Sequence, residues 1–294
     1  MKGETARPPL QGQRPSRRRL WTNRIATGSM FAAVVVTLIP VCLILYHLVS
    51  KGMVAMSWEF LTKPMPYSAT RQEGGFFNAL VGTAIMVGIA CAIAIPVGIV
   101  AAIYLAEYGK KTWFAQLVRF LTDVMTGVPS VFVGLFVYTA LVVKMGYGAL
   151  FGGLALAIIM LPIIVRATEE MLKLVPGELK DAGFGLGAAK WQVVLFVTLP
   201  SALPGITTGV MLAVARAAGE TAPLILTALG AQALVTKLVD APISALPLGI
   251  LSGARQAYPA GQERAWAGAL ELVVIVLLFT LLARVAASRS RMTR

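Results

Sequence analysis

Residues 166–200 read RATEEMLKLVPGELKDAGFGLGAAKWQVVLFVTLP, a polar, helix-forming island between two long apolar blocks. The flanking runs exceed the roughly 18 apolar residues that mark a membrane span. The island therefore decides the fold: it is the large polar loop of an all-α, multi-spanning bundle, held on one side of the membrane. Pro176 suits a first helical turn, and Glu178 and Asp181 place negative charge near the positive helix N-terminus. The pattern predicts a short helix from Pro176 to Phe184. Gly183, Gly185 and Gly187 then permit a sharp turn with φ > 0. A second helix from about Ala188 carries Trp191, Val193, Val194 and Phe196, and Leu199-Pro200 is expected to end it. Two such helices lying flat make a knob that can enter a groove on a soluble partner, or a hairpin that rests on lipid headgroups.

Composition agrees with the membrane reading. The 294 residues are 57% apolar and 13% charged, with a mean hydropathy of +0.78, where soluble domains carry about 25% charge. The net charge of +13 reads as the Lys/Arg excess of cytoplasmic loops, with no nucleic-acid partner expected. Cys42 and Cys91 lie inside apolar runs and read as packing residues, and His47 is the only histidine, so no metal site is indicated.

Outward from the island, residues 1–24 hold seven basic residues and read as a disordered cytoplasmic tail. The apolar run 25–49 is too long for a signal peptide and reads as the first span. A periplasmic loop at 50–74 follows. The second span covers about 76–105, with Pro96 as a kink site. The third, about 117–143, is interrupted at Gly127-Val128-Pro129-Ser130. The fourth runs from the Gly146-Tyr147-Gly148 turn to about Val165. After the island, the fifth is expected from Ser201 to about Leu229. An outer segment, 231–264, contains Pro242, Pro247 and Pro259 and is expected to fold partly back into the membrane. The sixth covers about 265–285, and 287–294 is a cytoplasmic tail. With about six spans, eighteen Lys and Arg fall on the side of the termini and seven on the other, which puts both termini and the island in the cytoplasm.

Inside the fifth span stands MLAVARAAGETAPLILT, residues 211–227. Arg216 and Glu220 are four apart and are expected to share a helix face. Arg216 lies about 20 Å along a helix from Leu203 at 1.5 Å per residue. A charge at that depth costs about 2.5–3.5 kcal/mol and normally faces the bundle interior or a water path. The pair reads as a structural ion pair or as a site on an anion pathway. In the second case Arg216 offers an oxyanion its planar fork, Glu220 holds the arginine in reserve, and Thr221 adds a hydroxyl. Arg166, at the end of the fourth span, either lines the exit or snorkels to headgroups.

The island resembles the cytoplasmic EAA loop of ABC importer permeases: Glu-Ala-Ala, three residues, Gly, nine residues, Ile, any residue, Leu-Pro. Here the match is Asp181-Ala182-Gly183, Gly187, Val197 and Leu199-Pro200, with every interval kept. Asp replaces Glu, Gly the second Ala, and Val the Ile; Gly183 is expected to loosen the first helix. The stretch ALPGITTGVMLAVARAAGETAPLILTA is similar to the fifth-span signature of phosphate-importer permeases. GGFFNALVGTAIM, PVGIVAAIYLAEYG, GVPSVFVGLF, PIIVRATEEMLKLVP and GAAKWQVVLFVTLP agree with it. The Ala-Arg-x-x-Gly-Glu core is also similar to sulfate and molybdate permeases; the Thr-Ala-Pro-Leu that follows favours phosphate.

The resemblance spans about residues 74–285. It implies an ABC importer type I permease domain over 75–286, with a coupling loop at 167–200 that seats in a cytoplasmic ATP-binding subunit. It further implies a dimer of that ATPase, a second permease subunit similar to PstC and a phosphate-binding protein, around a non-catalytic chain in the bacterial inner membrane. No phosphate-binding loop of the G-x-x-x-x-G-K-[ST] type occurs in the sequence. No cofactor is expected in this chain, with ATP and Mg used by the partner ATPase. A permease for another oxyanion, or a membrane scaffold recruiting a signalling protein, is the alternative reading.

Overall fold

A computed structural model describes residues 16–68, 73–109 and 112–292. Its helices are α1 (Arg17–Ala55), α2 (Trp58–Thr62), α3 (Phe77–Tyr108), α4 (Trp113–Gly127) and α5 (Ser130–Met145). Then follow α6 (Ala149–Lys173), α7 (Gly177–Gly185), α8 (Lys190–Ala218), α9 (Ala222–Thr227), α10 (Leu246–Ala254) and α11 (Pro259–Met292). Five of them, α1, α3, α6, α8 and α11, are long and apolar enough to cross a membrane, and α4 with α5 makes a sixth candidate.

The chain forms two compact units, up to Val49 and from Ser50 onward. The first is most of α1, whose apolar window is exposed throughout. Its helix starts at Arg17, ahead of the expected 25–49 span. Arg17, Arg18, Arg19 and Arg24 therefore stand on the helix and not in a disordered tail. Ser16 supplies the start, its hydroxyl accepting from Arg19 N at 3.4 Å. The rest of the expected tail, residues 1–15, lies outside the described residues.

In the second unit α6 is the central helix: 61% of its apolar window is buried, against 22% for α3 and 33% for α8. Met86, Ala90 and Ala94 of α3, Leu156, Met160 and Ile164 of α6, and Ile206, Val210 and Ala213 of α8 form the core. Small residues let these backbones approach. A Cβ on Gly153 would come within 2.7 Å of Ile89, and one on Gly209 within 2.4 Å of Ala167. The expected outer loop is helical at both ends of its first part. α1 runs to Ala55 and α2 is capped by Ser57, whose hydroxyl accepts from Phe60 N at 3.1 Å.

The third span breaks where the sequence interrupts it: α4 and α5 meet at 105° across Val128-Pro129. Pro129 offers no N–H and biases the preceding residue to extended geometry, which Val128 adopts at φ −72°, ψ 127°. The helix leaving the island does not stop at Leu199-Pro200. It runs unbroken from Lys190 to Ala218, with a π-turn at Val194–Thr198 just before the proline. The wider turn accommodates the donor that Pro200 lacks. The fifth span is broken near its far end, where Gly219, Glu220 and Thr221 separate α8 from α9. Beyond it, α10 packs between α3 and α11, with Leu246 and Gly249 buried. Thr83 of α3 accepts from Leu246 N at 2.8 Å and so serves one of its free N-terminal amides.

Candidate functional site

Arg216 stands three residues before Gly219, in the last turn of α8. The backbone then closes tightly, with Gly219 N donating to Arg216 O at 3.1 Å and Glu220 N to Ala217 O at 3.2 Å. Glu220 is therefore past the helix end, and the two side chains do not share a helix face. They still meet, because the turn folds Glu220 back over the terminus: Arg216 Nε lies 3.5 Å from Glu220 Oε1. That is an electrostatic contact longer than an ordinary hydrogen bond. The glutamate is sheltered at 15% side-chain exposure, whereas the arginine is open at 59%.

The open guanidinium lines a cavity of about 140 Å³ at the break of the third span. Met125, Thr126 and Ser130 form one wall, and Ile159, Pro162 and Ile163 of α6 the other. Glu220 and Thr221 are not among its walls. An exposed arginine beside two hydroxyl residues and a kinked helix suits transient binding of an oxyanion.

Arg166 lies about one turn of α6 past Pro162 and Ile163, and it is engaged within the chain. It pairs with Asp123 of α4, and its Nη1 is 3.8 Å from Oε2 of Glu169. Glu169 is 1% exposed and gathers two more cations, Arg119 Nε at 2.8 Å and Lys173 Nζ at 2.7 Å. Arg119 also donates from Nη2 to Leu105 O at 2.7 Å. The end of α3 is thereby tied through α4 to α6. Of the residues expected to line a pathway, Arg216 alone faces the cavity, while Arg166 belongs to this adjoining network.

The island forms two helices joined by a glycine turn. Gly183 does not interrupt α7, which ends at Gly185. It is buried at the crossing with α8, where a Cβ would lie 3.1 Å from Val193 and 3.7 Å from Val197. Gly187 has φ +80°, and a Cβ there would meet nothing within 4 Å, so its requirement is purely conformational. Asp181 and Ala182 face outward, together with Leu179, Phe184 and Leu186, the last 90% exposed. Leu199 and Pro200 are half-buried in the continuous α8.

Residues 94–292 match the family model described as binding-protein-dependent transport system inner membrane component. The chain belongs to that family. This inner membrane component is a multi-pass transporter subunit, 43% identical over 264 residues to a Yersinia pestis protein named phosphate transport system permease protein PstA, covering 90% of this chain and 89% of the relative. A Xylella fastidiosa protein of the same name is 44% identical over 246 residues, covering 83% and 85%. The fold of a bacterial alginate ABC transporter solved with its alginate-bound periplasmic protein superposes with a TM-score of 0.64 at 16% identity, covering 92% of this chain and 98% of that one.

Several charged residues of the permease carry more than the sequence reading gave them. Asp123, four residues after Arg119 in the third span, was visible as an intramembrane charge. Glu271 was visible in the same way, within the apolar run of the sixth span. It is 3% exposed, and neither of its carboxyl oxygens has a hydrogen-bond partner among the described residues. Glu107 carried no such signal, because it sits in a short polar turn.

Proposed function

We propose that this chain is the membrane-spanning subunit of an ATP-driven importer of inorganic phosphate. The observation that carries the reading is the open Arg216 fork on a cavity at the broken third span, in a segment shared with relatives named for phosphate transport. An arginine can bind a phosphate bidentately and release it, because its resting partner Glu220 is only loosely engaged at 3.5 Å. The hydroxyl residues Thr126 and Ser130 supply neutral partners in the same cavity. The adjoining Arg166–Asp123 pair marks the way toward the island side.

On this reading both termini and the island are cytoplasmic, in the bacterial inner membrane. The motif residues Asp181, Ala182, Gly183 and Gly187, with the exposed Leu186 beside them, seat α7 in a dimeric ATP-binding subunit. ATP with Mg is used there, and this chain is not itself an enzyme. A second permease subunit similar to PstC completes the membrane portion, and a phosphate-binding protein delivers the anion from outside. Closure of the ATPase dimer moves the island, and α8 carries that motion without a break to Arg216. The test is ATP-dependent uptake of ³²P-phosphate into vesicles holding the assembled complex. Uptake that resists excess sulfate and molybdate is expected; abolition by sulfate would move the assignment to another oxyanion.

A further inference from the structure

The island is tied to the bundle at a third place besides its covalent runs out of α6 and into α8. Lys180 of α7 pairs with the carboxylate of Glu107, which lies in the π-turn that ends α3 and is 9% exposed. Lys190, the first residue of α8, donates from Nζ to the backbone carbonyl of the same Glu107 at 2.7 Å. The Lys190 ammonium also stands 4.5 Å over the ring of Tyr108, a cation–π contact. Both island helices therefore grip one residue of a different span, across sequence separations of 73 and 83. Lys180 is itself sheltered, at 17% side-chain exposure, so the pair is not an ordinary surface contact.

The grip does not stop at Glu107. Two residues earlier, Leu105 O accepts from Arg119, which binds Glu169, which holds Lys173 and faces Arg166. A polar chain thus runs from the island through the end of α3 and across α4 and α6 to the Arg166–Asp123 pair. Packed elements of this kind shift between discrete arrangements, and a shared charge is one way to make two of them shift together.

We propose that Glu107 is a second coupling point, a positioning residue through which movement of the island is delivered to α3 and the Arg166 network as well as to α8. The proposal rests on the reading of the island as the seat of an ATPase. A loop joined to the bundle only through its covalent ends, α6 and α8, would leave α3 unmoved. A loop that also grips Glu107 moves the two helices that flank α6, and so opens or closes the space beside Arg166 as a unit.

The experiment uses the complete complex in proteoliposomes, with ATP hydrolysis and ³²P-phosphate uptake measured on the same preparation. Glu107→Gln keeps the size of the side chain and removes its charge. We expect the complex to assemble and hydrolyse ATP while phosphate imported per ATP falls about tenfold, within the range of ordinary coupling energies. Glu107→Lys alone is expected to be worse, and Glu107→Lys combined with Lys180→Glu to recover a large part of the wild-type ratio. An unchanged ratio in Glu107→Gln overturns the proposal. So does a double variant no better than Glu107→Lys, which also decides the matter if a single variant fails to assemble. Loss of ATP-dependent uptake in the wild-type complex would instead remove the importer reading itself.

Discussion

Arg216 Nε lies 3.5 Å from Glu220 Oε1, although the helix that carries the arginine ends two residues before the glutamate. The separation of four residues suggests a helical pair, but the contact is made by a turn. Such a pair is easier to open than one on a helix, because Glu220 sits in a non-helical link between α8 and α9. Glu220→Gln removes the competing charge while leaving the turn intact. Arg216→Lys keeps the charge and loses the planar fork, so uptake is expected to fall by about tenfold or more, the equivalent of ~1.4 kcal/mol. In Glu220→Gln the arginine should instead hold phosphate longer, lowering turnover with ATPase binding unchanged. Wild-type uptake in both variants would reduce the pair to a structural role.

Gly187 gives a test of the island turn that does not depend on packing. Its φ of +80° is unfavourable for any residue with a Cβ, yet a Cβ there would touch nothing. Gly187→Ala and Gly187→Leu should therefore destabilise by similar amounts, about 1–2 kcal/mol. Thermal unfolding of the purified protein checks this. A Leu variant far worse than Ala would show that the site is crowded in the assembled protein.

Glu169 neutralises a cluster at the end of α6 while 1% exposed. Glu169→Gln leaves Arg119 and Lys173 without their shared acceptor charge. Breaking a fully buried pair costs about 3–5 kcal/mol. Lys173 is half exposed and Arg119 partly so, which brings the expectation to about 2–3 kcal/mol after screening. The loss should shrink if Lys173→Met is made in the same chain, since one unpaired cation is removed. A double-mutant cycle on thermal stability measures that difference, and strict additivity would contradict the shared-acceptor geometry.

Glu271 presents the opposite case. A buried carboxyl with no hydrogen-bond partner among the described residues carries a desolvation penalty that no contact there offsets. Glu271→Met should raise stability by about 1–3 kcal/mol, read as a higher melting temperature of the purified permease. A lower melting temperature would mean that the carboxyl has found a partner the isolated chain does not supply.

Much of the architecture was legible in the sequence because hydrophobic length and charge report directly on a membrane. The 166–200 island, the bundle, the interruption at Gly127–Ser130 and the charge of Arg216 inside a span all carry signals of that kind. What escaped were features set by tertiary geometry. A Leu-Pro pair reads as a stop, but the π-turn at Val194–Thr198 lets the helix continue through it. An i, i+4 charge pair reads as helical, but Gly219 ends the helix between its members. Gly183 reads as a weakness in α7, yet it is what allows Val193 and Val197 to approach. Glu107 was invisible because its meaning comes from Lys180 and Lys190, more than seventy residues away.

The open fork of Arg216 is proposed to serve phosphate in a machine driven through the island. The most direct measurement compares wild type and Arg216→Ala in proteoliposomes holding the full complex, recording ³²P-phosphate uptake and ATP hydrolysis together. The wild type should import phosphate only with ATP, and the variant should hydrolyse ATP while importing little or none. An Arg216→Ala complex that imports phosphate at the wild-type rate would contradict the account.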